Sequence, residues 1–320
     1  MTRASRAADP ARTDPMPPDT IPPVTVLDGG LSTALEQQGT AVGGALWTAR
    51  LLADEPERIA RAHRAFFEAG AGIATTATYQ ASERGFLAAG FDGAEARTLI
   101  ARGVAIACDV RDELVSARPG LRVAASVGPY GAVLGDGSEY RGRYGVSAAA
   151  LRDFHGPRLE LLVAAGPDLL AVETIPDLDE AVVLAELLDD LGVPAWFSYS
   201  VRGGETCAGQ PLADAYAALA GSRVLVAVGV NCSDEADVLG AVQAAVSATG
   251  LPAVAYPNRG GHWDSVTKTW STAHPFDLDL VDAWIEAGAR FVGGCCGFGP
   301  DDIRALARRV HGDDTSLSVP

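Results

Sequence analysis

DLLAVETIPDLDEAVVLAELLDDLGVPAWFSYS, residues Asp168–Ser200, reads as a β-rich run (Asp168–Glu173), a segment of helical period (Leu178–Leu191) and a second β-rich run (Ala195–Ser200). Short β-rich runs alternating with longer helical segments imply βαβ units and a parallel sheet. The same alternation extends in both directions. Upstream lie strand-like runs at Val24–Asp28, Ile73–Thr78 and Arg122–Val127; downstream lie Val224–Asn231, Ala253–Pro257 and Arg290–Gly294. Helical segments fall between them at Glu57–Ala69, Ala94–Ala117, Ala148–Ala165, Leu212–Gly221, Glu235–Thr249 and Asp279–Ala287, and a last helix is expected to open at Gly299-Pro300-Asp301. A proline is tolerated in a first helical turn, and the acidic pair Asp301 and Asp302 suits the positive end of a helix.

Eight such units fit a single-domain (β/α)₈ barrel, the TIM-barrel class of α/β fold, whose usual size is ~250 residues plus insertions. A doubly wound open sheet is the competing architecture. Its first strand would be followed by a G-x-G-x-x-G phosphate loop, and this one is followed by Asp28-Gly29-Gly30-Leu31-Ser32-Thr33. The expected organisation is a disordered N-terminal tail over 1–23, with six prolines and no signal-peptide core, a barrel over 24–311, and a short C-terminal tail over 312–320.

The chain has 320 residues and a net charge of −16, the wrong sign for tracking phosphates, so nucleic acid and anionic membrane surfaces are not expected partners. In the tail Arg3, Arg6 and Arg12 balance Asp9, Asp14 and Asp19, which leaves the charge on the body. No run approaches the ~20 apolar residues of a membrane span. Five cysteines make an odd number for a disulfide framework, and a reducing cytoplasm is the expected setting.

A (β/α)₈ barrel builds its active site at the C-terminal ends of its strands. Those ends carry Asp28-Gly29-Gly30, Thr76–Gln80, Ser126–Tyr130, Glu173-Thr174, Ser198–Ser200, Asn231-Cys232-Ser233, Tyr256-Pro257-Asn258 and Gly293–Gly297. Cys232, Cys295 and Cys296 therefore converge on one mouth, where three thiolates can hold zinc and leave its fourth position open. Gly293, Gly294 and Gly297 would let the backbone bend so that both neighbouring cysteines turn inward. Buried structural thiols are the bland alternative, and the one that suits Cys108 and Cys207. A zinc centre of three thiolates is a weak Lewis acid, but it binds a further thiol as thiolate, the nucleophilic form for alkyl transfer.

GVNC at Gly229–Cys232 with GGCCG at Gly293–Gly297 resembles the zinc-dependent homocysteine S-methyltransferases. So do LDGGLST at Leu27–Thr33, TATYQAS at Thr76–Ser82, SVGPYGAVLGDGSEYRG at Ser126–Gly142, ETIP at Glu173–Pro176 and YPN at Tyr256–Asn258. The resemblance runs from about Val24 to Arg309. It implies a (β/α)₈ barrel, zinc on Cys232, Cys295 and Cys296, and methyl transfer to the sulfur of homocysteine, giving methionine. The stretch around Pro129–Gly142 looks closest to the branch using S-methylmethionine or S-adenosylmethionine. After YPN the chain reads Arg259-Gly260-Gly261, where that branch carries Ser-Gly-Glu.

Homocysteine offers an ammonium and a carboxylate besides its thiol. Asp28 and Glu173 suit the ammonium, and the backbone N–H groups of Gly29 and Gly30, entering a helix, suit the carboxylate. Asp28 also fits a helix-entry cap, Glu173 a structural ion pair, and Asn231 either a substrate contact or a support of the cysteine loop. A sulfonium donor is a cation and favours aromatic faces. Trp47 is the first candidate, with Tyr79 and Tyr130 in mouth loops and Trp270 behind them; His63, His155 and His274 read as structural or exposed. Two other functions fit the same cysteines: a methyltransferase of this fold with a betaine-like donor or another thiol or selenol acceptor, and a non-catalytic zinc-storing or thiol-sensing barrel.

Overall fold

In the computed structural model the described residues are 24–40, 42, 47–260, 263–264, 269–270 and 276–312. The two expected tails, apart from Gly312, and the side chains of Trp47 and Trp270 lie outside them, as does His274. Among the described residues twelve strands occur in chain order: β1 Thr25–Val26, β2 Ile73–Thr75, β3 Arg122–Val127, β4 Leu169–Ile175, β5 Ala195–Tyr199, β6 Val201–Arg202, β7 Glu205–Thr206, β8 Leu225–Asn231, β9 Ala253–Tyr256, β10 Trp263–Asp264, β11 Thr269–Trp270 and β12 Ala289–Val292. Eight of them form one parallel sheet in the order β1-β12-β9-β8-β5-β4-β3-β2. The sheet closes on itself, because Leu27 bridges Ile73 in parallel and Asp28 donates its N–H to the Ile73 carbonyl at 3.1 Å. The fold is a (β/α)₈ barrel.

The two remaining pairs, β6 with β7 and β10 with β11, are antiparallel hairpins inserted after barrel strands. Helices follow the strands as the sequence periods require: Leu178–Leu191 and Glu235–Thr249 have the expected bounds, and the last runs Pro300–His311. Asp177 and Asp234 cap the first two, each accepting an N–H of its first turn. No helix among the described residues is long and apolar enough to cross a membrane.

Strand alternation sorts the side chains into two layers. Val26, Val127, Val172, Phe197, Val228, Ala255 and Val292 join the large core beneath the helices. Leu27, Ile73, Ala124, Ala171, Trp196, Ala227, Val254 and Phe291, one from each strand position, fill the interior of the barrel. The interior is thus packed, with Trp196 and Phe291 its largest fully buried side chains. Continuing the interior parity by two residues toward the C-terminal ends brings Thr75, Ser126, Glu173, Ser198 and Tyr256 to the top of that packed layer.

Candidate metal centre

Those side chains floor the site. Glu173 accepts hydrogen bonds from the Ser126 hydroxyl and, at 3.1 Å, from the Tyr256 hydroxyl. Tyr256 in turn accepts from the Trp196 indole at 2.9 Å. Asp28 accepts from the backbone N–H of Thr75 at 2.7 Å and from its hydroxyl at 2.8 Å. Both carboxyls are buried. Burial pushes Asp28 up to about 8 against its Thr75 hydrogen bonds, with the charge of Glu173 adding to the rise. Burial likewise pushes Glu173 up to about 7, against the Ser126 and Tyr256 hydrogen bonds. Held this far above their ordinary range, the two carboxyls favour their neutral forms until a cation pairs with them.

Above this floor stand the cysteines. The sulfurs of Cys232, Cys295 and Cys296 all lie within 4.8 Å of one another, and Cys296 is 4.0 Å from each of the other two. A metal bound tetrahedrally by sulfurs at ~2.3 Å sets them ~3.8 Å apart, so the three thiols fit a single ion. No histidine or carboxylate joins the cluster among the described residues, which leaves a fourth position for another ligand. Cys232 sits well below the ordinary thiol range because the Cys295 and Cys296 thiols donate to it, and Tyr140 and Asn258 add further hydrogen bonds. Cys295 and Cys296 are pushed up in return. The cluster by itself therefore stabilises one thiolate, and a bound cation would be needed to hold three.

The local backbone explains how the sulfurs converge. Cys232 adopts φ 49° and Thr174, at the end of β4, φ 61°. Such left-handed conformations are strained for residues with a side chain and persist only where the surroundings hold them. Asn231 supplies part of that hold: its side chain accepts from the Thr174 N–H at 2.6 Å and donates to the Thr174 hydroxyl at 2.8 Å. Asn231 thus supports the loop ends, one of the two roles its position allowed. At β12 the glycines act in two ways. Gly297 takes φ 86° and makes the turn, whereas a Cβ on Gly294 would meet the Phe298 ring at 2.1 Å. One glycine bends the chain; the other admits the aromatic ring that closes it.

Other expected residues lie elsewhere. The Gly30 N–H donates to the Phe298 carbonyl at 3.0 Å, so it is not open to a substrate carboxylate. Gly29 and Gly30 both serve close approach, since a Cβ would meet the Phe298 and Cys295 carbonyl oxygens, respectively, at 2.6 Å each. Tyr130 packs with Tyr144, Phe154, Leu151 and Val183 in a side cluster, and Arg84 occupies its ring face and bonds its hydroxyl at 2.9 Å. It offers no face to a substrate cation. Tyr79 is half-buried with its hydroxyl fully covered, and desolvation of that hydroxyl, with the charge of Cys232 adding to it, keeps the phenol protonated. Trp47 opens the helix Trp47–Asp54, its side chain outside the described residues. Cys108 and Cys207 stay outside the cluster, and His63 and His155 are buried in helices.

Sequence reasoning gave no role to Tyr140, whose hydroxyl stands 3.7 Å from the Cys232 sulfur, nor to Ser126, Tyr256 and Asn258 at the strand ends, and it missed Thr75 and Arg158 altogether. The strand parity could have found Thr75, Ser126 and Tyr256. Arg158 carries no such signal: from the helix Ala148–Ala164 it reaches inward to the carbonyls of Thr78, Tyr79 and Gly128 at 2.6–3.0 Å, fixing two strand-end loops.

A family model described as homocysteine S-methyltransferase matches residues 25–310. A homocysteine S-methyltransferase of Escherichia coli is 44% identical over 89% of this chain and 95% of its own. One of Bacillus subtilis is 42% identical over 89% of this chain and 94% of its own. A crystal structure of the homocysteine methyltransferase of Escherichia coli, in its metallated form, superposes with a TM-score of 0.82 at 42% identity, over 91% of this chain and 97% of that one.

Proposed function

Given that the chain belongs to the homocysteine S-methyltransferase family, we propose that it moves a methyl group from a sulfonium donor, S-methylmethionine in first place, to homocysteine held at Cys232, Cys295 and Cys296, giving methionine. The new S–C bond forms as the donor's C–S⁺ bond breaks, and the donor leaves as a neutral thioether. The observation that carries the reading is the meeting of three sulfurs within 4.8 Å directly above two buried carboxyls of raised pKa.

Zinc is the metal this all-sulfur donor set suits, and when bound it would keep an incoming thiol deprotonated near neutral pH. The residues of the chain do the rest. Asp28 and Glu173 would receive the ammonium of homocysteine, and their ionisation on binding exchanges buried neutral carboxyls for a charge-assisted pair. Thr75, Ser126 and Tyr256 fix the carboxyl oxygens so that the ammonium meets acceptors already oriented. Tyr79 and Tyr140 line the side of Cys232 and limit water around the reacting sulfur. An amino-acid pocket of this kind disfavours a metal store, which needs no such carboxyls. All five cysteines are free thiols.

The test is zinc content and methionine yield for wild type and Cys295→Ala, both by mass spectrometry. The variant should lose its metal and at least about 100-fold in activity. A metal-free, fully active variant would overturn the reading. Substituting betaine for S-methylmethionine in the wild-type assay should abolish turnover.

A further inference from the structure

The loop between β3 and the helix Ala148–Ala164 carries Tyr140, whose hydroxyl stands 3.7 Å from the Cys232 sulfur. Just beyond Tyr140 the backbone turns left-handed twice in succession, at Gly142 (φ 64°) and Arg143 (φ 53°). Arginine keeps that conformation only where its surroundings hold it. The hold is Asp177, buried just after β4: one of its carboxyl oxygens accepts the Arg143 N–H at 2.6 Å. The approach is close, since a Cβ on Gly142 would meet the Cβ atoms of Asp177 and Ala208 at 2.9 and 3.0 Å.

Asp177 serves two other segments as well. Its second oxygen accepts the Asp179 N–H at 3.1 Å, capping the helix Leu178–Leu191, and the Gln210 amide N–H at 2.8 Å. Gln210 follows the β6–β7 hairpin, and its own oxygen accepts the Leu178 N–H at 3.2 Å and the Thr206 hydroxyl at 2.6 Å. Ala208 adds two bonds: its N–H donates to the Pro176 carbonyl at 2.9 Å, and its carbonyl accepts the Arg143 Nε–H at 2.8 Å. Segments that follow β3, β4 and the hairpin thus meet on one carboxyl. A helix cap needs only the Asp179 bond; the others reach across to the wall of the site.

We propose that Asp177 is a positioning residue of the substrate pocket: it pins the Gly142–Arg143 turn and so holds Tyr140 against Cys232 before substrate arrives. The proposal rests on the homocysteine-binding reading above. The loop has two further ties, the Ser138 hydroxyl to the Gly131 carbonyl at 3.4 Å and the Tyr144 hydroxyl to Glu180 at 3.1 Å. They bracket the stretch between Ser138 and Tyr144, and Asp177 takes hold within the bracket. A loop in place for only a fraction of the time lowers apparent affinity by that fraction, yet the substrate-bound enzyme has it in place. Loss of the hold therefore raises KM for homocysteine and leaves kcat nearly level.

Asp177→Ser and Asp177→Asn separate the hold from the cap. Serine and asparagine both cap helices well, but the serine hydroxyl falls short of the Arg143 N–H, whereas the asparagine oxygen reaches it. In steady-state kinetics of the zinc-loaded protein the serine variant should show a homocysteine KM about 10-fold above wild type, the order expected for one lost hydrogen bond to a charged group, with kcat within about twofold. The asparagine variant should return KM to within about threefold of wild type. Trypsin gives a readout apart from activity, because Arg141 and Arg143 are exposed. Fragment masses should show the serine variant cut there faster than wild type, and saturating homocysteine should slow the cut, since a ligand that needs the loop in place must also favour it. Wild-type KM and wild-type trypsin resistance in the serine variant would overturn the proposal, as would a fall in kcat with KM unchanged. Should the serine variant not fold, Gln210→Ala decides: it keeps the cap and the Arg143 bond but frees Asp177 from the hairpin, and the same split should appear at about threefold. A wild type that neither binds nor methylates homocysteine would instead overturn the proposed function, and this proposal with it.

Discussion

Asp28 and Glu173 hold protons that exposed carboxyls would have lost. Burial raises them to about 8 and about 7, from ordinary values of 3.8 and 4.5. The sign of the consequence follows from linkage: a group that binds its proton more tightly in the folded state contributes stability present at low pH, and that contribution is lost as pH rises through the folded value. The ligand-free protein should therefore lose stability between about pH 5 and pH 8. In Asp28→Asn the amide keeps an acceptor for the Thr75 N–H but has no proton to lose. Melting temperatures taken across that range should fall less steeply for the variant than for the wild type. Equal slopes would mean that Asp28 is ionised throughout. The identity of these two carboxyls was legible from their place at strand ends, because barrel chemistry gathers there. Their partners were less so: Thr75, Ser126 and Tyr256 look like ordinary strand residues until the inward parity of the barrel is known.

At the scale of elements, the strand and helix periods carried through to the fold with small changes at the ends. Arg122–Val127 and Leu178–Leu191 kept their bounds, while β1 shortened to Thr25–Val26 because closure of the barrel at Leu27 is a single bridge rather than a ladder. The short helices Leu31–Gln37, Glu83–Ala88 and Tyr130–Leu134 had too few turns to register a period. Glycines at strand ends were visible in the sequence, but one reason for them was not. Gly29 and Gly30 looked like anion-binding backbone; the Gly30 N–H is taken by the Phe298 carbonyl, and both residues give room beneath the Cys295–Phe298 loop. That reason makes a prediction. In Gly30→Ala the new Cβ would lie 2.6 Å from the Cys295 carbonyl oxygen and 2.9 Å from the Thr33 hydroxyl, which itself accepts the Gly297 N–H at 3.0 Å. Backbone cannot yield as a flexible side chain does, so the loop carrying two of the three sulfurs must move. The variant should lose about 1–3 kcal/mol of stability and bind less than one zinc per chain. Calorimetric melting with metal analysis checks both, and an unchanged melt with full zinc would show that the loop has slack.

The whole molecule carries a net charge of −16; its N-terminal tail is internally balanced and its C-terminal tail adds only Asp313 and Asp314, so most of the field belongs to the barrel. A field of that sign concentrates cations at the surface and speeds their arrival. The two proposed substrates differ in this respect. Homocysteine is a zwitterion of net charge zero near neutrality, whereas S-methylmethionine carries an additional sulfonium charge. Only the donor should feel the body of the protein at long range. Raising the salt from about 0.01 M to about 1 M contracts the screening length from ~30 Å to ~3 Å. Over that range kcat/KM for S-methylmethionine should fall several-fold, while kcat/KM for homocysteine stays level and serves as the internal control. The two carboxyls in the floor of the site are too buried for salt to screen them, so a fall confined to the donor isolates the surface field from the chemistry of the pocket. A donor kcat/KM that does not change with salt would mean that the acidity serves solubility alone. Equal falls for both substrates would point to a salt effect on the fold or on the metal instead.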